Sequence, residues 1–318
     1  MHYPHEHFYI GKYLGYDSSF YRENSVSSNK SRSSINSGST QKSTNKHRDN
    51  DLSYLIQNAY SMSRDKKKCM KLQTRVEEER HNNEFIDKLF KRLTPVFSEI
   101  MMDPYANYFC QKLLSLANED HITKILEQIK PKFVEIWINT HGTRAGQHLV
   151  ERMKLTKERI RLIQRALKND IVTLATNQHG NHVINIWLNR FPQSELNFIV
   201  DAFINNLEEV ATHKHGWMVV QKCLSKCSKS QRERLADQIV SDCLVLSQNQ
   251  FGNYIMQHVI FKGCPVRNRR IWSIFAPHLV LLCTQKFSSN VVEKCIEHFD
   301  EATCKLLYSQ LERHNVMK

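Results

Sequence analysis

The sequence predicts an all-α chain: a curved solenoid of about seven short helical repeats behind a disordered N-terminal tail. Three observations carry this. A twelve-residue pattern recurs at nearly constant spacing through the chain. The apolar residues inside each copy follow a helical period rather than a strand period. Residues 24–50 hold nine serines, with Val26 and Ile35 as the only aliphatics, and so little apolar surface cannot offset the entropy of ordering. The division expected is a low-complexity tail over 1–60 and a repeat domain over 61–318.

The repeat is seen by aligning DPYANYFCQKLL (103–114), NTHGTRAGQHLV (139–150), NQHGNHVINIWL (177–188), HKHGWMVVQKCL (213–224), NQFGNYIMQHVI (249–260) and QKFSSNVVEKCI (285–296). Taking Asn107, Thr143, Asn181, Trp217, Asn253 and Ser289 as first residues, the offsets are 36, 38, 36, 36 and 36 residues. A small residue precedes each: Ala106, Gly142, Gly180, Gly216, Gly252 and Ser288. Ten residues earlier stand Phe97, Phe133, Ile171, Leu207, Cys243 and Leu279, and seven earlier Ile100, Ile136, Leu174, Val210, Leu246 and Leu282. Twelve apolar residues in register make the repeat real.

Each unit reads as a helix. In the unit from Asn253, Ile255, Met256, Val259 and Ile260 form one apolar stripe that has to face a neighbour. SQRERLADQIV fits a second helix, and the segment carrying the two fixed apolar positions fits a third. Pro95, Pro131 and Pro277, each twelve residues before a unit, are placed to open that third helix. Repeats of this size bury their stripes by stacking, which gives a solenoid.

Charge and composition narrow the function. The 318 residues carry 45 Lys+Arg against 32 Asp+Glu, a formal +13. Residues 1–60 hold seven basic and five acidic residues, so +11 of that belongs to the remainder. A basic globular part points to a polyanionic partner or simply to solubility. Seven aromatics near the start (Tyr3, Phe8, Tyr9, Tyr13, Tyr16, Phe20, Tyr21) suit either a docking motif or an idle terminus. No stretch approaches the roughly 20 apolar residues that cross a bilayer, and no signal sequence opens the chain. A soluble, cytoplasmic protein is expected.

The nine cysteines are scattered, an odd number without C-x-x-C pairs, and read as small core hydrophobes. Cys295 and His298 form a lone C-x-x-H, so no metal site and no cofactor are expected. There is no P-loop, G-x-S-x-G, H-E-x-x-H or acidic pair at catalytic spacing. His141, His179 and His215 recur at a fixed position and read as helix-packing residues. The expectation is a binding protein with no catalytic residues.

What it binds is suggested by the first, second and fifth residues of each unit. In order they are Asn107/Tyr108/Gln111, Thr143/Arg144/Gln147, Asn181/His182/Asn185, Trp217/Met218/Gln221, Asn253/Tyr254/Gln257 and Ser289/Asn290/Glu293. First and fifth residues lie one helical turn apart and project together from the face opposite the stripe. Asn and Gln amides offer donor and acceptor to a base edge, a glutamate only accepts, and a Tyr, His or Arg beside them can stack on bases. Lys112, Lys222 and Lys294 follow the fifth residue, within reach of phosphates. The competing account is ordinary solvated helix surface, which a pattern recurring in several repeats disfavours.

The segments FGNYIMQHVI, FSSNVVEKCI, HGTRAGQHLV and YANYFCQKLL resemble Pumilio-family (PUF) repeats. Ser289, Asn290 and Glu293 are similar to that family's guanine-reading repeat, normally its seventh. Counting back, DKKKCMKLQ (65–73) fits a first repeat, with Cys69 and Gln73 as its reading pair. The resemblance implies a right-handed curved solenoid of three-helix repeats that binds single-stranded RNA antiparallel, one base per repeat. Carried over residue by residue, it implies 5′-G-U-n-n-A-U-A, akin to a UGUA-type element in mRNA 3′ untranslated regions. It further implies a monomer that recruits a deadenylase or translational repressor, giving post-transcriptional repression or decay.

Three departures from the family pattern stand out. Trp217 and Met218 replace a small reading residue and a stacker, Asn185 replaces a longer Gln, and no eighth repeat appears before Lys318. The last helices, about 301–313, are expected to cap the array instead. Two other readings stay open: a structural or pre-ribosomal RNA binder of the wider group, and an armadillo-like protein scaffold.

Overall fold

Helix starts along the chain are written into short polar caps. Asp65 Oδ1 accepts from the backbone N–H groups of Lys67 and Lys68 to start Lys66–Glu78. Thr156 caps Lys157–Leu167, while Asn118 with His121 and Ser228 with Gln231 form reciprocal capping boxes at Glu119–Ile129 and Lys229–Ser241. In the computed structural model, the backbone of residues 41–313 and the side chains of residues 51–310, 312 and 313 are described. Among them every regular element is helical. The aromatic-rich start and the serine-rich residues up to 40 lie outside the described residues.

From Asn50 onward the chain is one compact unit, a curved α-solenoid of seven repeats. Each of the second to seventh repeats runs short helix, reading helix, outer helix. In the second these are Phe97–Met102, Ala106–Ser115 and Glu119–Ile129. In the sixth they are Cys243–Gln248, Gly252–Phe261 and Pro265–Phe275. All twelve apolar positions seven and ten residues before the units are buried. The stripe from Ile255 to Ile260 is buried as well, and so are Phe109, Cys110, Leu113 and Leu114. Trp187 is the largest fully buried side chain, its ring 4.2 Å from that of Trp137 in the preceding repeat. Outer helices are linked from repeat to repeat by Arg159–Glu119, Arg234–Asp201 and Arg267–Asp237.

Two expectations are corrected. A helix runs Gln41–Ser63, so residues 41–50, read as part of a disordered stretch, are helical. Leu52, Leu55 and Ala59 recur at helical spacing and are buried, which anchors this helix as the opening member of the first repeat. The prolines do not open the short helices. Pro95, Pro131 and Pro277 sit inside 3-10 turns, Thr94–Val96, Lys130–Lys132 and Ala276–His278, immediately before them. A proline's fixed φ and missing N–H suit that tight turn as well as a helix start.

The small residue before each unit answers to close packing. A Cβ on Gly142, Gly180, Gly216 or Gly252 would lie 2.1–2.7 Å from the carbonyl oxygen of Ile136, Leu174, Val210 or Leu246. In the seventh repeat Ser288 occupies this place and donates its hydroxyl to the corresponding carbonyl of Leu282, at 2.8 Å. That close approach holds each short helix against the reading helix after it.

Candidate nucleic-acid interface

The turn between short helix and reading helix is closed by a side chain four residues before each unit. Asp103, Asn139, Asn177 and Asn249 each accept, through Oδ1, from the two backbone N–H groups that begin the reading helix. The distances run from 2.8 to 3.1 Å. This recurring Asx cap was readable in the aligned segments, which begin D, N, N, H, N and Q, but the sequence reading passed over it. In the fifth repeat His213 takes the place, its Nδ1 accepting from His215 N at 3.2 Å.

Upon that turn sits the first residue, and here the expected picture changes. Asn107, Thr143, Asn181 and Asn253 do not project into solvent; they are buried at the foot of the face. Each asparagine uses its Nδ2 to bind carbonyls three and four residues back: Asn107 to Asp103 and Pro104, Asn181 to Asn177 and Gln178, Asn253 to Asn249 and Gln250. The second residues Met70, Tyr108, Arg144, His182, Tyr254 and Asn290 are exposed, and Met218 is half-buried. The glutamine and asparagine fifth residues are half-buried, and Glu293 is exposed.

First and fifth side chains meet in four repeats. Gln73 Nε2 donates to Cys69 Sγ (3.3 Å), Gln111 to Asn107 Oδ1 (3.3 Å), Gln147 to Thr143 Oγ1 (3.2 Å) and Gln257 to Asn253 Oδ1 (3.0 Å). The first residue therefore orients the glutamine amide. In the Asn/Gln pairs an asparagine oxygen keeps a free lone pair beside a glutamine N–H, an acceptor next to a donor. That order matches the N3–H and carbonyl of uracil. In the other two pairs the first residue also binds the next repeat: Thr143 Oγ1 donates to His179 O (3.3 Å) and Cys69 Sγ to Tyr105 O (3.5 Å). There the glutamine alone faces outward with a carbonyl and an N–H, the pairing that the N6–H and N1 of adenine require.

The remaining three repeats differ. Asn185, one methylene shorter, makes no hydrogen bond to Asn181 among the described residues, so that pair lacks the locked amide. In the fifth repeat the Trp217 ring lies 5.0 Å from that of Tyr254 in the next repeat, and Gln221 Nε2 is 3.3 Å from His258 Nδ1. In the seventh, Ser289 Oγ reaches toward Lys286 O at 3.5 Å and the Glu293 carboxylate is exposed, an acceptor-only surface.

Charges settle differently from the sequence expectation. Lys112 pairs with Glu77, and Lys294 with Glu297, so two of the three lysines placed near phosphates are held by carboxylates. Burial, with Lys226 nearby, lowers the pKa of the third, Lys222. Burial also lowers the imidazoles of His179, His213 and His215, with neighbouring cationic groups adding to it. Burial raises the Cys69 thiol and pushes Cys243 up to about 12.

Comparison with known proteins identifies the repeats. The model of the Pumilio-family RNA binding repeat matches residues 97–130, 170–204, 206–240, 242–272 and 278–311. The Pumilio domain-containing protein C6G9.14 of Schizosaccharomyces pombe is 38% identical over 265 residues, 83% of this chain; the chain spans 38% of that protein's length. Among solved structures, the Puf4 RNA binding domain bound to the HO endonuclease RNA 3′ UTR recognition sequence has a TM-score of 0.68 at 30% identity, covering 80% of this chain and 79% of its own. The RNA-binding domain of yeast Puf5p bound to AAT2 RNA has a TM-score of 0.72 at 29% identity, covering 81% and 77%. The repeats of Cys69 and Thr143 fall outside the five matched segments yet carry the same locked pair on the same helix. By its matched repeats and their arrangement, the chain belongs to the Pumilio family of RNA-binding repeat proteins.

Proposed function

We propose that this chain binds single-stranded RNA in sequence, one base per reading helix, and in doing so regulates messenger RNA. The observation that carries the proposal is the oriented amide: the same first-to-fifth hydrogen bond recurs in four helices, with a first residue that sorts them into uracil and adenine types. Exposed Tyr108, Arg144 and Tyr254 stand beside three of these pairs, and exposed His182 on the helix between them, where stacking contributes about 1–3 kcal/mol per base. Antiparallel reading gives 5′-G-U-n-n-A-U-A: Ser289/Glu293 take G, Asn253/Gln257 U, Thr143/Gln147 A, Asn107/Gln111 U and Cys69/Gln73 A. The similar Puf4 and Puf5p domains are bound to RNA in their structures, the former to a 3′ UTR sequence.

In this reading the protein is a cytoplasmic monomer that recognises a UGUA-like element in 3′ untranslated regions. It represses translation or promotes decay by bringing a deadenylase or repressor complex to the message. Selection from a randomised RNA pool at physiological salt tests the proposal. Enrichment of single-stranded G-U-n-n-A-U-A supports it. Binding without an enriched motif points to a structural-RNA role, and absence of binding to a protein scaffold.

A further inference from the structure

The fifth repeat departs from its neighbours at each position that would handle a base. Its cap is His213 rather than an Asx side chain, with one backbone N–H bound instead of two. Its first residue is Trp217, where the other repeats carry Cys, Asn, Thr or Ser. Its fifth residue, Gln221, turns to His258 of the sixth repeat rather than to the first residue of its own.

Trp217 is packed partly into the core and its ring faces Tyr254 across the repeat boundary, centroids 5.0 Å apart and planes 30° from parallel. A base inserted between two rings needs them about 7 Å apart, twice the stacking rise of ~3.4 Å. The slot between these two side chains is therefore closed by the protein itself. In the other repeats with a buried first residue (Cys69, Asn107, Thr143, Asn181 and Asn253), that residue is smaller than a tryptophan and lies at the foot of the face.

Resting on the RNA-reading assignment above, we infer that Trp217 takes the place of a base. The fifth repeat reads none, and the nucleotide opposite it passes with its base turned away from the array. Trp217 is thus a specificity-determining residue: it makes the third nucleotide of the element a spacer and continues the stack through Tyr254 to the base held by Asn253 and Gln257.

Affinities of the whole chain for G-U-X-U-A-U-A, with X any of the four bases or an abasic residue, test this. The expected result is that all five RNAs bind within about twofold, far inside the tenfold that 1.4 kcal/mol represents. Weakening of about tenfold or more by the abasic X would overturn it. An abasic residue in place of the G tests the underlying reading separately, because that substitution should cost binding whichever way X behaves. W217N, which opens the slot and supplies the uracil-type pair, should acquire about tenfold preference for uracil at X. A W217N chain that unfolds at the wild-type temperature and gains no preference would also overturn the assignment.

Discussion

Gln257 Nε2 donates to Asn253 Oδ1 over 3.0 Å, while Asn253 Nδ2 holds the carbonyls of Asn249 and Gln250. One buried asparagine thus ties the turn to the Gln257 amide, so the geometry proposed for base recognition and the fold are set by the same hydrogen bonds. Reading positions of this kind are pre-organised, and ordering them on binding loses little freedom.

That relationship makes the Asx cap a functional lever. Asn249→Ala removes the acceptor for Phe251 N and Gly252 N and should lower stability by about 0.5–2 kcal/mol. It should also weaken discrimination at the U opposite Asn253. Urea unfolding together with competition binding checks both. A stability loss with undiminished uracil preference would detach the turn from the reading pair.

The glycine before the fifth unit should tolerate no side chain. Gly216→Ala places a Cβ 2.1 Å from Val210 O. In an open helix the exchange stabilises by about 1 kcal/mol, whereas here overpacking should cost roughly 1–3 kcal/mol. Chemical denaturation gives the sign directly.

Truncating Trp187, fully buried against Trp137, should cost about 3–5 kcal/mol as Trp187→Ala. Because repeats stack on nearest neighbours, the loss should spread from the fourth repeat. Hydrogen exchange along the chain would show protection falling first in the helices beside it.

Acid should destabilise the fold above the range where carboxylates titrate. Burial holds His121, His148, His179, His213 and His215 below the ordinary imidazole value of 6.5, in His121 outweighing the nearby Asp87. As pH falls through 6.5, the unfolded chain takes up protons that the folded chain does not. Stability therefore falls until the lower folded values are passed. Tm should be lower at pH 5.5 than at pH 7.5, and a rise would contradict the burial of these rings.

The repeat register, the buried apolar positions and the reading helices were legible because they recur: one ambiguous residue is corrected by its five counterparts. What did not recur was harder to see. The helix Gln41–Ser63 has no short-helix counterpart, and a serine-rich composition hid the apolar Leu52, Leu55 and Ala59 beyond it. The burial of Asn107 or Asn253 depends on a side chain folding back onto its own turn, which residue spacing does not encode. The Trp217–Tyr254 contact is likewise a matter of where a ring points, although the oddity of Trp217 was plain.

The central claim is that the first and fifth residues choose the base. Its most direct test converts the seventh repeat's pair into the sixth's, as the double variant Ser289→Asn with Glu293→Gln. Affinities for RNAs carrying G or U at the first position of the element should then reverse in order. The expected swing is about 1–3 kcal/mol, the scale of a bidentate base contact. An unchanged preference for G, in a variant that folds as the wild type does, would contradict the account.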